Sequence, residues 1–348
     1  MNRIGLVWKS LEVILFETPL SKAHLRVGWL CVAAIYLVGI AHWIWFFNRG
    51  DLNLVSYDWV LQGAFLNTLR DSQINGIIPW RWNEPFYHTA DFLANAEVVL
   101  TPDIIALRWL SNSSFVILHT IVLYSCGFIG SMLIVRKYDS GLTTFVFFWL
   151  LFNFNGYLTS HLSVGHFAWL GYFILPFFFL LMFRFMQESH SASSLSVTPA
   201  LSMAFLLGAL FLNGSVHVAV WCSIFMVITV CWRHTMFLNV LVSIIVGGLL
   251  AANRLLPAAI FFPPIKEFVL GYATFSDLLN AFTSLRNHDF IPFGTIYTHG
   301  EGWWEYDIFI GFIAFVVLSL CLVPALKLAK LENQLALFLQ QESFYCFR

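Results

Sequence analysis

Apolar residues run through this chain in long blocks, separated by polar intervals of very unequal length. A bilayer core of about 30 Å needs roughly 17–25 helical residues to cross it. That length picks out eight spans, at 27–47, 115–135, 141–157, 167–186, 198–213, 215–232, 236–261 and 306–326, with the third and fifth short for the purpose. Residues 1–26 carry apolar positions at helical spacing with Lys9 and Lys22 on the other side, which predicts an interfacial segment before the first span. The first apolar run begins near Val27 and lacks a small-residue cleavage site, so it is an anchor that stays.

Two polar intervals are long, about 48–114 and 262–305. In the first, residues 57–71 predict a short amphipathic helix with Val60, Phe65 and Leu69 along one side, stopped at Asn75 and Gly76. The tract PWRWNEP at 79–85 is excluded from a helix by its prolines, and Trp80 and Trp82 suit a membrane surface. Residues 96–109 predict a second interfacial helix after or around Pro102. The second interval opens with Pro263 and Pro264, contains Arg286, His288 and Asp289, and closes on the belt-like Trp303 and Trp304. No internal repeat of 20–50 residues is present. The chain is therefore expected to be an all-α integral membrane protein of about eight helices, divided into the interfacial segment, a membrane domain over 27–326 and a short tail at 327–348.

Composition supports that class. The 348 residues are 59% hydrophobic and 11% charged, with a mean hydropathy of +0.77, against roughly 45–50% apolar and about 25% charged in soluble domains. A net charge of −1 excludes nucleic acid as a partner. Five of the six cysteines fall inside apolar runs, which leaves no disulfide framework or zinc spacing.

Charge then orients the chain. Arg3, Lys9, Lys22, Arg26, Arg136, Lys137, Arg184, Arg233, Lys327, Lys330 and Arg348 fall on the side of the N-terminus, 11 of the 18 basic residues. The positive-inside rule puts that side in the cytoplasm. Thirteen of the 19 acidic residues fall on the other side: Asp51, Asp58, Asp71, Glu84, Asp91, Glu97, Asp103, Glu267, Asp277, Asp289, Glu301, Glu305 and Asp307. Outer polarity is concentrated in the two long loops.

Four groups of residues can carry chemistry there. Asp58, soon after the first span, suits a general base on an acceptor hydroxyl, or else a solvated carboxylate or helix cap. Asp51 competes with it, and the other five acids of that loop read as mostly solvated surface. Arg254 lies inside or at the outer end of an apolar span, where arginine is costly, so it either meets a phosphate or snorkels to the interface, paired with Glu267. Arg286 and His288 offer further phosphate contacts, and His161 and His166 polar contacts to a substrate, each against the alternative of ordinary loop or turn structure. There is no P-loop, dinucleotide fingerprint, HExxH, nucleophile elbow or CxxC. No D-x-D pair marks a metal site; no cofactor is assigned, and use of a divalent metal stays open.

Taken together, the early loop aspartate, the GIIPWRWNEP and ANAEVVLTP tracts, Gly165-His166 leading into 167–176, Asn253 to Pro257, and EYDIFIG at 305–311 resemble GT-C type membrane glycosyltransferases, and among them the bacterial YfhO-like proteins. The resemblance covers about residues 20–325. It implies transfer of a sugar from a polyprenyl-phosphate carrier to an acceptor, with inversion, at the outer face of the bacterial cytoplasmic membrane. Asp58 matches the family's base and Arg254 the basic residue that meets the donor phosphate. The expected partners are thus the polyprenyl-phosphate sugar and membrane lipids. The sequence departs from the family's pattern in length, since family members commonly have more spans and often a soluble outer domain after the membrane part; the ending at Arg348 is expected to be either a short cytoplasmic helix or a truncation. A non-catalytic scaffold subunit with membrane protein partners, and a lipid or polysaccharide transporter or polymerase, are the rival expectations.

Overall fold

The computed structural model describes residues 22–52, 54, 56–86, 89–138, 141–188, 196–261, 275–284, 307–320 and 322. Of the interfacial segment expected over 1–26, residues 1–21 lie outside the described residues and 22–26 open the first helix; the greater part of the second long loop and the tail after 322 also lie outside the described residues. The described chain is helical except for one small antiparallel ribbon. Among the described residues four helices are long and apolar enough to cross a membrane, as a multi-pass membrane protein requires: Arg26–Phe46, Asn112–Lys137, Leu142–Val164 and Phe167–Gln187. Two further apolar helices, Val197–Leu212 and Val216–Trp232, are shorter. The span expected over 236–261 is instead two helices, His234–Leu250 and Ala252–Phe261, bent by 78° at their junction. Of the last expected span, 312–320 is described and helical.

The chain forms two units, residues 1–153 with 158–269, and residues 154–157 with 270–348. In the larger unit α1 (Lys22–Phe46) leads through a turn at Asn48–Gly50 to α2 (Trp59–Asn75). Strands β1 (Arg81–Phe86) and β2 (Thr89–Asp91) pair antiparallel, Arg81 opposite Asp91, and 3-10 turns at Phe92–Ala94 and Pro102–Arg108 follow. The helices that follow are α3 (Asn112–Lys137), α4 (Leu142–Asn153), α5 (Gly156–Val164), a 3-10 segment Phe167–Ile174 running into α6 (Leu175–Glu188), α7 (Val197–Leu212), α8 (Val216–Trp232), α9 (Phe237–Leu250) and α10 (Ala252–Phe261).

Helix α3 is the hub. Ser111 caps it, accepting a hydrogen bond from the Ser114 N–H at 3.2 Å, and Arg136 and Lys137 in its last turn complement the helix dipole. Its small residues admit neighbours closely, since a Cβ on Gly127 would stand 3.0 Å from Phe173, and one on Gly130 would stand 2.9 Å from Pro176. Polar links tie α1 and α4 to it: Tyr36 to Ser125 at 2.7 Å, Tyr124 to the Tyr36 carbonyl at 3.2 Å, and Trp149 Nε1 to the Tyr124 hydroxyl at 3.2 Å. Helices α7 and α9 meet along a seam of small residues. Ser243 donates to the Ala200 carbonyl at 3.0 Å, and a Cβ on Gly247 would lie 3.0 Å from that of Leu207. Without a hydrophobic drive between helices in lipid, such close backbone approach is what holds them.

In the first long loop, α2 ends where expected, on Gly76 in the left-handed region at φ 66°. Its buried face differs in phase from the expected one. Phe65 and Leu69 are each 2% exposed, but Val60 is 45% exposed and Trp59, Leu61 and Leu66 fill the core in its place. The proline-rich tract becomes strand β1, in keeping with its exclusion from a helix. Around Pro102 the chain forms a seven-residue 3-10 helix, shorter than the helix expected over 96–109.

The smaller unit contains α11 (Phe275–Thr283) and the helix over 312–320. The amides of Ile310 and Gly311 donate to the Phe282 carbonyl at 3.1 and 3.2 Å, and the Phe282 and Phe315 rings lie 5.3 Å apart. Asp307, buried, accepts from the Phe309 amide at 2.9 Å, and the Gly156 amide donates to the Phe309 carbonyl at 2.6 Å.

Candidate functional site

The larger unit gathers polar residues where α2 begins. Tyr57, at φ 49°, turns the chain so that the Asp58 amide donates to the Val164 carbonyl at 2.9 Å and Trp59 Nε1 to the Ser163 carbonyl at 3.3 Å. Gly165 makes this docking possible. At φ +102° it occupies a region that side chains rarely adopt, and a Cβ there would lie 2.3 Å from the Trp59 nitrogen. The start of α2 and the turn after α5 therefore lie backbone on backbone.

That contact lines up three titratable groups. His166 Nε2 is 2.7 Å from Asp58 Oδ2, and His166 Nδ1 is 2.6 Å from His161 Nδ1. An ionised Asp58 can only accept, so His166 donates from Nε2; a neutral His166 then accepts at Nδ1 from the N–H of His161. The chain has a direction, with the carboxylate at its open end. The Asp58 side chain is 40% exposed and that of His166 13%, whereas His161 is buried. Asp58 Oδ1 takes no hydrogen bond among the described residues. Behind the chain, His161 stacks on Trp169 with centroids 4.5 Å apart, and Trp169 stacks on His217 at 5.2 Å.

The other half of the site is the segment between the two 3-10 turns of the first loop. Arg254, in the first turn of α10, is 1% exposed, so it does not snorkel. Its Nη2 donates to the Asn95 carbonyl at 2.6 Å and also to the Ala96 carbonyl. Glu267, the partner considered for it, lies outside the described residues. The same segment is held from behind, where the Leu100 amide donates to the Leu212 carbonyl at 2.7 Å. Gly214, at φ +78°, passes so close that a Cβ would lie 2.8 Å from the Glu97 carbonyl oxygen. Glu97 is thereby turned towards α2, and its Oε2 accepts from Gln62 Nε2 at 3.1 Å. Gln62 is one turn on from Asp58, so the two side chains share a face of α2.

Glu97 is the functional candidate that sequence reasoning passed over. It was expected to be solvated; it is half-buried, and burial raises its carboxyl above the ordinary range. The nearby Asp58 charge works in the same direction, and His166 and Arg254 work against it. Asp103 also departs from the expected solvated surface. Its Oδ2 lies 2.6 Å from Nδ1 of His119, a ring 1% exposed. Burial alone would raise the Asp103 carboxyl, but the His119 hydrogen bond and charge more than offset it and hold the group below its usual value. The sequence signal for both acids was slight: a glutamine one helical turn after Asp58, and a histidine inside a span.

Of the expected site residues, the fold brings Asp58, His166 and His161 into one hydrogen-bonded chain, while Arg254 is bonded to the Asn95 and Ala96 carbonyls of the neighbouring segment. Asp51 is exposed at the turn after α1 and takes no part in that chain. Arg286 and His288 lie outside the described residues. Among the described residues no group of three or more His, Cys, Asp or Glu is arranged to hold a metal ion. Comparison with family models, curated proteins and solved structures returns no match to this chain.

Proposed function

We propose that the chain is a membrane glycosyltransferase that takes a sugar from a polyprenyl-phosphate donor. The observation that carries this reading is the Asp58–His166–His161 chain at the start of α2. Oδ1 of Asp58 receives the proton of the acceptor hydroxyl, and His166, donating to Oδ2, keeps the carboxylate oriented for it. The acceptor oxygen attacks the anomeric carbon from the face opposite the phosphate. The bond from that carbon to the phosphate oxygen breaks, its electron pair stays on the phosphate, and the product is inverted. Arg254 supplies the cationic surroundings that favour the departing phosphate. In this reading the chain crosses the bacterial cytoplasmic membrane eight times with its N-terminus inside, and the prenyl tail lies among apolar helices while transfer takes place in the outer polar loops.

The test is sugar transfer from a polyprenyl-phosphoryl sugar by the protein in lipid nanodiscs, wild type against Asp58→Asn. Loss of a general base is expected to lower the rate about 10²–10⁴-fold, and equal rates would remove Asp58 from the mechanism. One observation favours a second reading. Arg254 is tied to the carbonyls of Asn95 and Ala96, as a structural latch would be, which suits a non-catalytic scaffold subunit. That reading expects no turnover with any donor.

A further inference from the structure

Two groups beside the Asp58 chain are left unmatched. Nε and Nη1 of Arg254 are buried with no hydrogen-bond partner among the described residues, although Nη2 is engaged with two carbonyls. Glu97 directly follows those carbonyls in the chain. The two residues nevertheless do not pair. Neither is in an ion pair within 4.0 Å among the described residues, unlike His119 with Asp103 and His166 with Asp58. Glu97 instead takes a hydrogen bond from the neutral amide of Gln62.

A buried guanidinium facing an ionised carboxylate ordinarily forms the bidentate pair, because leaving either charge unpaired in a poorly hydrated place is costly. Here the guanidinium turns to carbonyls through Nη2 and keeps two nitrogens, Nε and Nη1, unused. We propose that Glu97 works as a neutral carboxylic acid which, together with Nε and Nη1 of Arg254, binds an oxyanion. Its identity as the phosphodiester of a lipid-linked sugar rests on the reading above. The carboxyl keeps its proton throughout and donates a hydrogen bond, so no bond is made or broken at Glu97.

The surroundings favour this state. Burial is the largest influence on Glu97 and favours the uncharged form, as does the Asp58 carboxylate on the same face of α2. His166 from the turn after α5 and Arg254 from α10 are the opposing charges. The turn at Asn213–Ser215 behind it contributes no charged side chain. An arriving anion would complete the pairing of Arg254. It would also find a donor in Glu97 where an ionised carboxylate would repel it. Gln62 then separates an anion-binding half from the proton-accepting half at Asp58, and a bound phosphosugar would span the two.

The experiment measures binding by the full chain in nanodiscs, from about pH 6 to about pH 9, upward of the ordinary carboxylate range. The probes are a short-chain polyprenyl phosphoglucose and the water-soluble methyl phosphoglucose, both phosphodiesters of constant charge. Wild-type affinity should fall as pH rises through the ionisation of Glu97, by up to about tenfold per pH unit, and Glu97→Gln should bind without that fall. Tighter binding of the prenyl probe assigns the ligand to the lipid; equal binding of both assigns it to the phosphodiester alone, and either supports the anion site. Absence of the fall in wild type, or its persistence in Glu97→Gln, would overturn the proposal. A second measurement is independent of how well the variant folds. Infrared spectra of the unliganded wild type at neutral pH should contain a protonated-carboxyl band that survives in Asp58→Asn, and its absence would also overturn the proposal. Binding with the pH step but without sugar transfer would sink only the transfer reaction. Transfer without the step would sink only the role of Glu97.

Discussion

His166 Nε2 and Asp58 Oδ2 lie 2.7 Å apart across 108 residues of sequence, and the contact depends on a glycine between them in space. Gly165 carries the left-handed turn that lets the α5 end lie against the start of α2.

Gly165→Ala should therefore disrupt both backbone and site. The left-handed conformation alone costs a side-chain-bearing residue about 1–3 kcal/mol, and the Cβ would also press on the Trp59 nitrogen. The expected outcome is a lower thermal midpoint in detergent together with loss of whatever activity Asp58 supports. A midpoint equal to wild type would mean that the α2 docking is not what Gly165 serves.

The Asp103–His119 pair predicts an acid-side dependence. The folded carboxyl is held below its unfolded value, so its contribution is present above the unfolded value and is lost as pH falls through the folded one. Asp103→Asn should lower stability near neutral pH and flatten the decline in acid, read as thermal midpoint against pH. An unchanged acid limb would show that the pair does not govern it.

Arg254 acts on stability as well as on the proposed ligand. Arg254→Met leaves the Asn95 and Ala96 carbonyls without their donor, at about 1–3 kcal/mol for each group left unsatisfied. Protease cleavage within residues 95–101 should become faster than in wild type. Cleavage at the wild-type rate would mean that the segment is held by Leu212 and Gly214 alone.

Much of the first loop could be read from local chemistry. The end of α2 follows from Asn75 and Gly76, since only a residue at ease with positive φ closes a helix in that way. Prolines at 79 and 85 rule out a helix whatever the tertiary context. The phase of α2 was harder. Trp59, Val60 and Leu61 are all apolar, and which of them faces inward depends on the turn at Tyr57 and on what α5 presents. Pattern alone also made 236–261 one span, because the sequence around Ala251 lacks the proline that usually marks a break. Asp58, His161, His166 and Arg254 could be singled out as chemistry in unusual places. Glu97 and Asp103 could not, because what sets them apart is a partner on another element, Gln62 in one case and an in-span histidine in the other.

The hydrogen bond from Arg254 to Asn95 closes a loop of 159 residues. During synthesis at about 5–20 residues per second, roughly 8–30 seconds separate these two positions. Throughout that interval α2, the ribbon and the turns after it have left the ribosome while the arginine that fastens them has not. The half of the site built on Asp58 and His166 can assemble early, and the half built on Glu97 must wait for α10 to arrive. Shortening the chain before residue 254 would accordingly yield a protein with the Asp58–His166 contact in place and the Arg254 fastening of residues 95 and 96 unmade.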